Sequence, residues 1–146
     1  MVCKHRADLV EFPDGTRVLA SGWFERAPDA GVPDFGLYLD PMWTPTWPAH
    51  HLDWPDLGVP SDLAVADEQI MDAWRRARAG NMVEVACIGG HGRTGTVLAC
   101  MAVLAGVAPT DAVPWVRNNY CQRAVQEPSQ AYWMERFAER RRPAAS

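Results

Sequence analysis

A cysteine and an arginine six positions apart are the first residues of this sequence that could do chemistry together. Cys87 ends a short apolar run, and Arg93 comes shortly before an apolar stretch of helical character over residues 97–107. Three glycines lie between them, in the string C-I-G-G-H-G-R-T-G that begins at Cys87. This pattern predicts a strand, a glycine-rich loop and a helix N-terminus, which together form a site for an anion.

The loop between Cys87 and Arg93 has the residues needed to bind an anion beside a nucleophile. Glycines allow successive backbone N–H groups to turn into a tight concavity without clashes between Cβ atoms. The first turn of the following helix adds partial positive charge. Such surroundings stabilise the thiolate form of a cysteine. The planar guanidinium of Arg93 can bind two oxygens of a phosphate at once.

Four other interpretations of this segment compete with that one. Residues 90–95 spell G-x-G-x-x-G, the dinucleotide-binding fingerprint, but Asp111, the acidic residue about 20 positions on, begins a helix instead of ending a strand. A Walker phosphate loop is excluded because no lysine precedes the threonines that open the helix. A sulfurtransferase would share both Cys87 and Arg93 but has no use for the aspartate loop described next. A buried core thiol is the usual role of a lone cysteine, and the glycines and Arg93 argue against it here.

Two further motifs lie on either side of the cysteine loop. Residues 54–60 read W-P-D-L-G-V-P, and residues 125–130 read V-Q-E-P-S-Q. Together with C-x5-R-T, these strings resemble the general-acid loop, the glutamine loop and the phosphate loop of the cysteine-dependent protein tyrosine phosphatases. They occur in the family's order and cover residues 54–130. The brevity of the chain and the form of its cysteine loop are closer to the dual-specificity branch.

The resemblance implies hydrolysis of phosphate monoesters in two steps, through a phosphocysteine intermediate. Cys87 would attack phosphorus while Arg93 and the loop amides hold the phosphate oxygens. Asp56 would protonate the leaving oxygen and later take a proton from water. The phosphate-binding residues implied in the same way are Ile88, Gly89, Gly90, His91, Gly92 and Arg93.

Three further catalytic residues follow from the same resemblance. Thr94 would give its hydroxyl to the cysteine sulfur as that sulfur leaves, and Gln126 and Gln130 would orient the attacking water. Asp53, three residues before Asp56, is a second carboxylate near the acid loop. Its place at the end of the preceding strand favours a role in anchoring the loop.

The sequence departs from the family at the residue before the cysteine, where Ala86 replaces the usual histidine. Because that histidine helps to tune the thiolate, a second hypothesis is a phosphate-binding pseudophosphatase without turnover. The simultaneous presence of Cys87, Asp56, Arg93 and Thr94 opposes it. His91 occupies the position where relatives that act on phosphoinositides carry a lysine. The substrate is therefore open among phosphotyrosine, phosphoserine or phosphothreonine, nucleotide or RNA phosphates, and phosphoinositides.

Composition narrows the class of protein and its partners. With 14 Lys and Arg against 18 Asp and Glu, the net charge is −4, which implies no general surface for nucleic acids. No run approaches the apolar length of a membrane span, and the N-terminus has no apolar signal segment. We expect a single phosphatase-like domain over residues 1–146, monomeric, whose partner is a phosphorylated protein or a small phosphomonoester.

The cysteines and histidines predict neither disulfides nor a metal site. The spacing of Cys3, Cys87, Cys100 and Cys121 fits no disulfide framework or zinc motif. A catalytic thiolate also requires a reducing compartment, so the expected location is the cytoplasm. His50 and His51 would point to opposite faces of a strand, which disfavours a metal site there. We expect no cofactor.

The predicted fold is α/β, with a small, mostly parallel central sheet flanked by helices and an N-terminal hairpin. Residues 9–24 form that hairpin around the turn Pro13-Asp14-Gly15, and Trp43 and Trp47 lie in an irregular segment, where they cover the core or form a rim around the site. The remaining predicted elements are a strand at 35–39, a helix from Ser61 or Asp62 to Gly80, a strand at 82–86, a helix at 97–107, a helix capped by Thr110 and a helix that opens at Pro128.

Overall fold

A five-stranded sheet forms the centre of the protein, whose computed structural model describes residues 6–141. Cys3 lies outside the described residues. The strands run in the order β1-β2-β5-β3-β4, with β1 and β2 antiparallel and the other neighbours parallel. The predicted hairpin and mostly parallel sheet are therefore confirmed. The strands are β1 Arg6–Glu11, β2 Arg17–Gly22, β3 Phe35–Tyr38, β4 Ala49–His51 and β5 Val83–Cys87.

Within residues 6–141, four α-helices flank the sheet, and a short 3-10 helix, Trp23–Glu25, follows β2. The chain thus leaves the hairpin at Trp23. None of the helices within residues 6–141 is long and apolar enough to cross a bilayer. The α-helices are α1 Leu63–Arg78, α2 Gly92–Leu104, α3 Pro109–Asn119 and α4 Pro128–Arg140.

Local sequence signals set most of the helix ends. Asp62 caps α1, because its carboxylate accepts a hydrogen bond from the backbone N–H of Val65 at 3.1 Å. Pro128 occupies the first helical position of α4, as predicted. The predicted cap of α3 was wrong. Ala108 is the N-cap residue, and Pro109 begins the helix one residue before Thr110, since the fixed φ of proline suits the first helical position.

One face of the sheet and all four helices share a single hydrophobic core. Alternate strand residues such as Val83, Val85 and Leu37 contribute to it from the sheet. The helix α2 is buried over its first eleven residues, Gly92 to Ala102, as its uniformly apolar sequence predicted. Cys100 is a core residue of this helix, and burial raises the pKa of its thiol well above the usual value.

The opposite face of the sheet carries a buried polar cluster centred on Glu84. This carboxylate is fully buried and accepts hydrogen bonds from Ser21, Tyr38 and Arg26 at 2.8, 2.8 and 2.9 Å. Trp47 donates to the Tyr38 hydroxyl at 2.7 Å. The irregular segment that contains Trp43 and Trp47 therefore covers this face. Burial, followed by the nearby negative charge of Glu84, raises the pKa of Tyr38.

The topology brings the carboxyl ends of the parallel strands to one edge of the sheet. Cys87, the last residue of β5, pairs with Gly22 at the end of β2, and Ala86 pairs with Tyr38 at the end of β3. The segments that follow these strands therefore meet around the start of α2. In open α/β sheets this edge is the usual place of a ligand site.

Candidate active site

The sulfur of Cys87 lies at the bottom of the loop that joins β5 to α2. It accepts a hydrogen bond from the backbone N–H of Gly90 at 3.2 Å and another from the Thr94 hydroxyl at 3.1 Å. Cys87 is 2% exposed and Thr94 is fully buried. Both contacts place hydrogen-bond donors on the sulfur. The Thr94 hydroxyl is therefore in direct contact with the cysteine sulfur.

The backbone of the loop is fixed by close contacts that require glycine. Gly90 has a φ of +75°, and a Cβ there would lie 2.5 Å from the backbone nitrogen of Gly22. Two carbonyl groups of the loop are held from outside it. The Tyr120 hydroxyl donates to the Gly90 carbonyl at 2.6 Å, and the N–H of Phe24 donates to the carbonyl of Ile88 at 3.2 Å. The carbonyl groups of Ile88 and Gly90 are thereby directed to partners outside the loop.

The guanidinium of Arg93 is buried, and only some of its nitrogens have a hydrogen-bond partner. Its Nη1 donates to the carbonyls of Trp54 at 3.0 Å and Leu39 at 3.3 Å. Its Nη2 lies 3.6 Å from a carboxylate oxygen of Asp56. The Nε has no hydrogen-bond partner, even though Arg93 is buried and only 5% exposed. A buried donor without a partner is costly, so this nitrogen marks a place where a ligand oxygen would fit.

Asp40 is a site residue that sequence reasoning missed. Its carboxylate is 4% exposed and lies 3.8 Å from Nη1 of Arg93. The indole of Trp23 donates to one oxygen at 3.0 Å, and the N–H of Met42 donates to the other at 3.0 Å. Asp40 thus balances the charge of Arg93 on the side away from the free Nε. Its place just after a strand that runs parallel to β5 was the only available signal.

The acid loop, which contains the W-P-D motif, connects β4 to α1. Ser61 closes its base by two bonds to Asp53, one from its hydroxyl to the carboxylate at 2.8 Å and one between backbone groups at 2.9 Å. Asp53 therefore anchors the loop, as predicted. Asp56 lies at the tip with 71% of its side chain exposed, and the next residue, Leu57, has a φ of +61°. The tip thus holds Asp56 in reach of Arg93.

The two glutamines of the third motif have different surroundings. Gln126 is exposed, and its side-chain oxygen would lie 2.6 Å from a Cβ on Gly92, next to the phosphate loop. Gln130 is fully buried, and its amide is bonded to backbone groups at both ends. Both residues belong to the segment at the start of α4, beside the first turn of α2.

The remaining predicted residues line or support the phosphate loop. His91 is half buried, and its Nδ1 lies 3.4 Å from the sulfur of Cys121. Ala86 is fully buried on the Glu84 face of the sheet, opposite to the side of Cys87. His50 packs edge-on against Phe35, with ring centroids 5.0 Å apart. Among the described residues, no three His, Cys, Asp or Glu side chains are grouped in a way that could hold a metal ion.

Comparison with known proteins gives the family of this chain. The family model of the DSP-PTPase phosphatase domain, described as PTP-SAK (Swiss Army Knife protein), matches residues 42–143. The chain belongs to this family. It is also 30% identical to MJECL20, an uncharacterised protein of Methanocaldococcus jannaschii, over 151 aligned positions that cover 95% of this chain and 97% of the relative.

Solved structures of tyrosine and dual-specificity phosphatases share the fold of this DSP-PTPase domain. The active form of Tk-PTP is 26% identical, with a TM-score of 0.60 over 74% of this chain and 80% of the other. A kinase-associated phosphatase (KAP), with its catalytic cysteine replaced by serine, gives a TM-score of 0.74 at 15% identity, over 94% and 96% of the two chains. The chain is thus a dual-specificity-like member of the cysteine-dependent protein tyrosine phosphatase superfamily.

Proposed function

We propose that this DSP-PTPase domain hydrolyses phosphate monoesters through a phosphocysteine on Cys87. The observation that carries the proposal is that three groups lie around the loop between β5 and α2. The Cys87 sulfur has two donors on it, the buried Nε of Arg93 lacks a partner, and Nη2 of the same guanidinium lies 3.6 Å from the Asp56 carboxylate. A phosphate bound to Arg93 would therefore lie between a nucleophile and an acid.

In the first step, the thiolate of Cys87 forms a bond to phosphorus and the bond from phosphorus to the ester oxygen breaks. The loop amides and Arg93 hold the other three phosphate oxygens and stabilise the charge that they carry in the transition state. Asp56 gives its proton to the departing oxygen, so the alcohol or phenol leaves in its neutral form. The phosphoryl group is now on the sulfur.

In the second step, water replaces the sulfur at phosphorus. Asp56, which is now a carboxylate, takes a proton from the water as the new bond forms. The bond between phosphorus and sulfur breaks, and the sulfur leaves as a thiolate. The hydroxyl of Thr94, 3.1 Å from that sulfur, stabilises it, and Gln126 lies beside the phosphate loop where it would hold the water.

The mouth of the site favours an aryl phosphate such as phosphotyrosine. Three exposed apolar residues are bonded to the site through their backbone N–H groups: Phe24 is 73% exposed, Met42 73% and Leu57 50%. Each adjoins a residue of the site, since Phe24 bonds to Ile88 in the loop, Met42 to Asp40 and Leu57 to Asp56. A flat aromatic leaving group can pack against such a rim, whereas the net charge of −4 does not favour polyanionic nucleic acids.

We further propose that residues 1–146 act as one phosphatase domain and as a monomer. A reducing location such as the cytoplasm would preserve the Cys87 thiolate. Hydrolysis of phosphoinositides or nucleotides by the same site is the alternative within this chemistry, and phosphate binding without turnover is the alternative outside it. Ala86, in place of the usual histidine, is the feature that favours the latter.

The test is hydrolysis of p-nitrophenyl phosphate together with acid-quench trapping of a phosphoenzyme. We expect Cys87→Ser to abolish turnover and trapped phosphate but to keep inorganic phosphate or vanadate binding, because the hydroxyl is a far weaker nucleophile. Cys100→Ala is the matched control, since Cys100 lies in the core, and it should keep the phosphoenzyme.

Three results would contradict the proposal or refine its substrate. Full activity of Cys87→Ser would exclude the covalent mechanism. Phosphate binding by the unmodified protein without any turnover would establish the pseudophosphatase. A panel of phosphotyrosine and phosphoserine peptides, nucleotides and phosphoinositides would then decide the substrate, and a preference for a non-aromatic phosphate would remove the role of the apolar rim.

A further inference from the structure

The carbonyl of Gly58 joins the acid loop to two separate parts of the protein. It accepts a hydrogen bond from the indole of Trp54 at 2.6 Å and a second from the side-chain amide of Gln130 at 3.1 Å. The Trp54 bond lies within the loop, whereas Gln130 is on α4, 72 positions further along the chain. We call this pair of hydrogen bonds the Gly58 anchor. It fixes the loop just beyond Asp56.

The amide of Gln130 is bonded at both ends. Its oxygen accepts from the backbone N–H groups of Gln126 at 3.0 Å and Glu127 at 3.3 Å, and its nitrogen donates to Gly58. The residue is fully buried, at the third position of α4 in a capping box with Glu127. Although its Oε1 lies beside Gly92, 3.2 Å from the position that a Cβ would take there, both ends of this amide are already bonded to backbone groups.

Gln126 differs from Gln130 in each of these respects. Its side chain is exposed, and its oxygen lies close to Gly92 at the rim of the phosphate loop. Of the two glutamines, Gln126 is the exposed one, and its oxygen lies nearer to the position of a Cβ on Gly92, at 2.6 Å against 3.2 Å for Gln130. The tertiary structure therefore gives different surroundings to two glutamines that the sequence motif does not distinguish.

The acid loop is also held from the side of the phosphate. Nη1 of Arg93 donates to the carbonyl of Trp54 at 3.0 Å, and the ring of Trp54 packs on that of Trp133 in α4, with centroids 5.4 Å apart. The loop thus has bonds to the phosphate-binding arginine at its start and to α4 at its end. Asp56 lies between these two attachments, so the position of its carboxylate depends on both.

We propose that Gln130 is a positioning residue that holds the acid loop, and with it Asp56, over the phosphate through the Gly58 anchor, while Gln126 alone orients the water. This inference rests on the proposed function, because it divides the two steps of that reaction between the glutamines. Loss of the anchor weakens protonation of the leaving group. Loss of the Gln126 amide slows hydrolysis of the phosphocysteine.

Gln130→Glu tests the anchor without removing the helix cap. Glutamate is the other favoured residue at this position of a capping box, so its oxygens can still accept from the N–H groups of Gln126 and Glu127. It has no donor for the Gly58 carbonyl when ionised. A hydrogen bond of this kind corresponds to about a tenfold factor, so we expect about a tenfold lower kcat on phosphates with poor leaving groups. On p-nitrophenyl phosphate, which needs little protonation, the loss should be small.

Gln126→Ala is the matched variant for the second step. We expect it to release p-nitrophenol in a rapid burst followed by slow turnover, since the phosphocysteine accumulates when water is poorly oriented. Gln130→Glu should show no such burst. A burst in Gln130→Glu equal to that of Gln126→Ala would overturn the proposal, because Gln130 would then act on the water.

Amide hydrogen exchange over residues 54–60 gives a readout that does not depend on turnover. With vanadate bound, we expect faster exchange of these amides in Gln130→Glu than in the unmodified protein, and no change in Gln126→Ala. Unchanged exchange in Gln130→Glu would overturn the anchor. If the unmodified protein forms no phosphocysteine, the proposed function fails, and the exchange rates still decide whether Gln130 holds the loop.

Discussion

Replacing Asp56 by asparagine should slow the reaction in a way that depends on the leaving group. The Asp56 carboxylate lies 3.6 Å from Nη2 of Arg93, so it can reach an ester oxygen of a phosphate that this guanidinium holds. The carboxylate of Asp53 is instead bonded to the Ser61 hydroxyl at 2.8 Å, at the base of the loop. Of these two aspartates, Asp56 is the one beside Arg93, so we expect it to act as the acid.

A general acid contributes a factor of about 10² to 10⁴, which corresponds to about 2.7 to 5.4 kcal/mol of activation free energy. We expect Asp56→Asn to lower kcat by about that factor on an alkyl phosphate or phenyl phosphate, and much less on p-nitrophenyl phosphate. The alkaline limb of the pH profile of kcat should flatten, because the variant has no acidic proton to lose. Asp53→Asn removes one exposed hydrogen bond and should change kcat only slightly.

The assay measures kcat for both variants on each type of substrate across the pH range. Circular dichroism and urea unfolding show whether each variant is folded. A leaving-group-dependent loss in Asp53→Asn, with none in Asp56→Asn, would refute the assignment of the acid and the alignment of the W-P-D motif. Equal losses in Asp56→Asn on all substrates would indicate a role in binding and not in protonation.

Three further predictions concern the loop, the arginine and the buried tyrosine. Arg93→Lys should lower kcat/KM by about 10²- to 10³-fold, because a point charge cannot donate two parallel hydrogen bonds to phosphate; an unchanged value would remove Arg93 from the site. Gly22→Ala places a Cβ 2.5 Å from the backbone of Gly89, so it should displace the phosphate loop, weaken inorganic phosphate binding in calorimetry, and lower the free energy of unfolding by about 1 to 3 kcal/mol. The raised pKa of Tyr38 means that the folded chain holds the phenolic proton more tightly than the unfolded chain, so its contribution to stability is present below about pH 10 and is lost above it. Above pH 10, urea unfolding should show that the free energy of unfolding falls by at most about 1.4 kcal/mol per pH unit, and this fall should be absent in Tyr38→Phe. The same dependence on pH in both proteins would contradict the role of the Glu84 cluster.

Local motifs were sufficient to predict the backbone elements around Cys87. The order of strand, glycine loop and helix around Cys87 is confirmed because each part depends on neighbouring residues, which are visible in the sequence. The same reasoning placed Pro128 at the start of α4 and the cap of α1 at Ser61 or Asp62, of which Asp62 is the N-cap residue. It was wrong at Thr110, where two adjacent start signals competed and the proline prevailed.

The sequence by itself determined which residue types are available for the chemistry, and the tertiary structure decided which of them meet. Asp40 becomes part of the site only because β3 runs parallel to β5, which brings its end to Arg93, 53 positions away. Gln130 is separated from Gln126 in role only because α4 packs against the acid loop. Such contacts join residues far apart in the chain, and they depend on how the helices and strands pack, which no local pattern encodes.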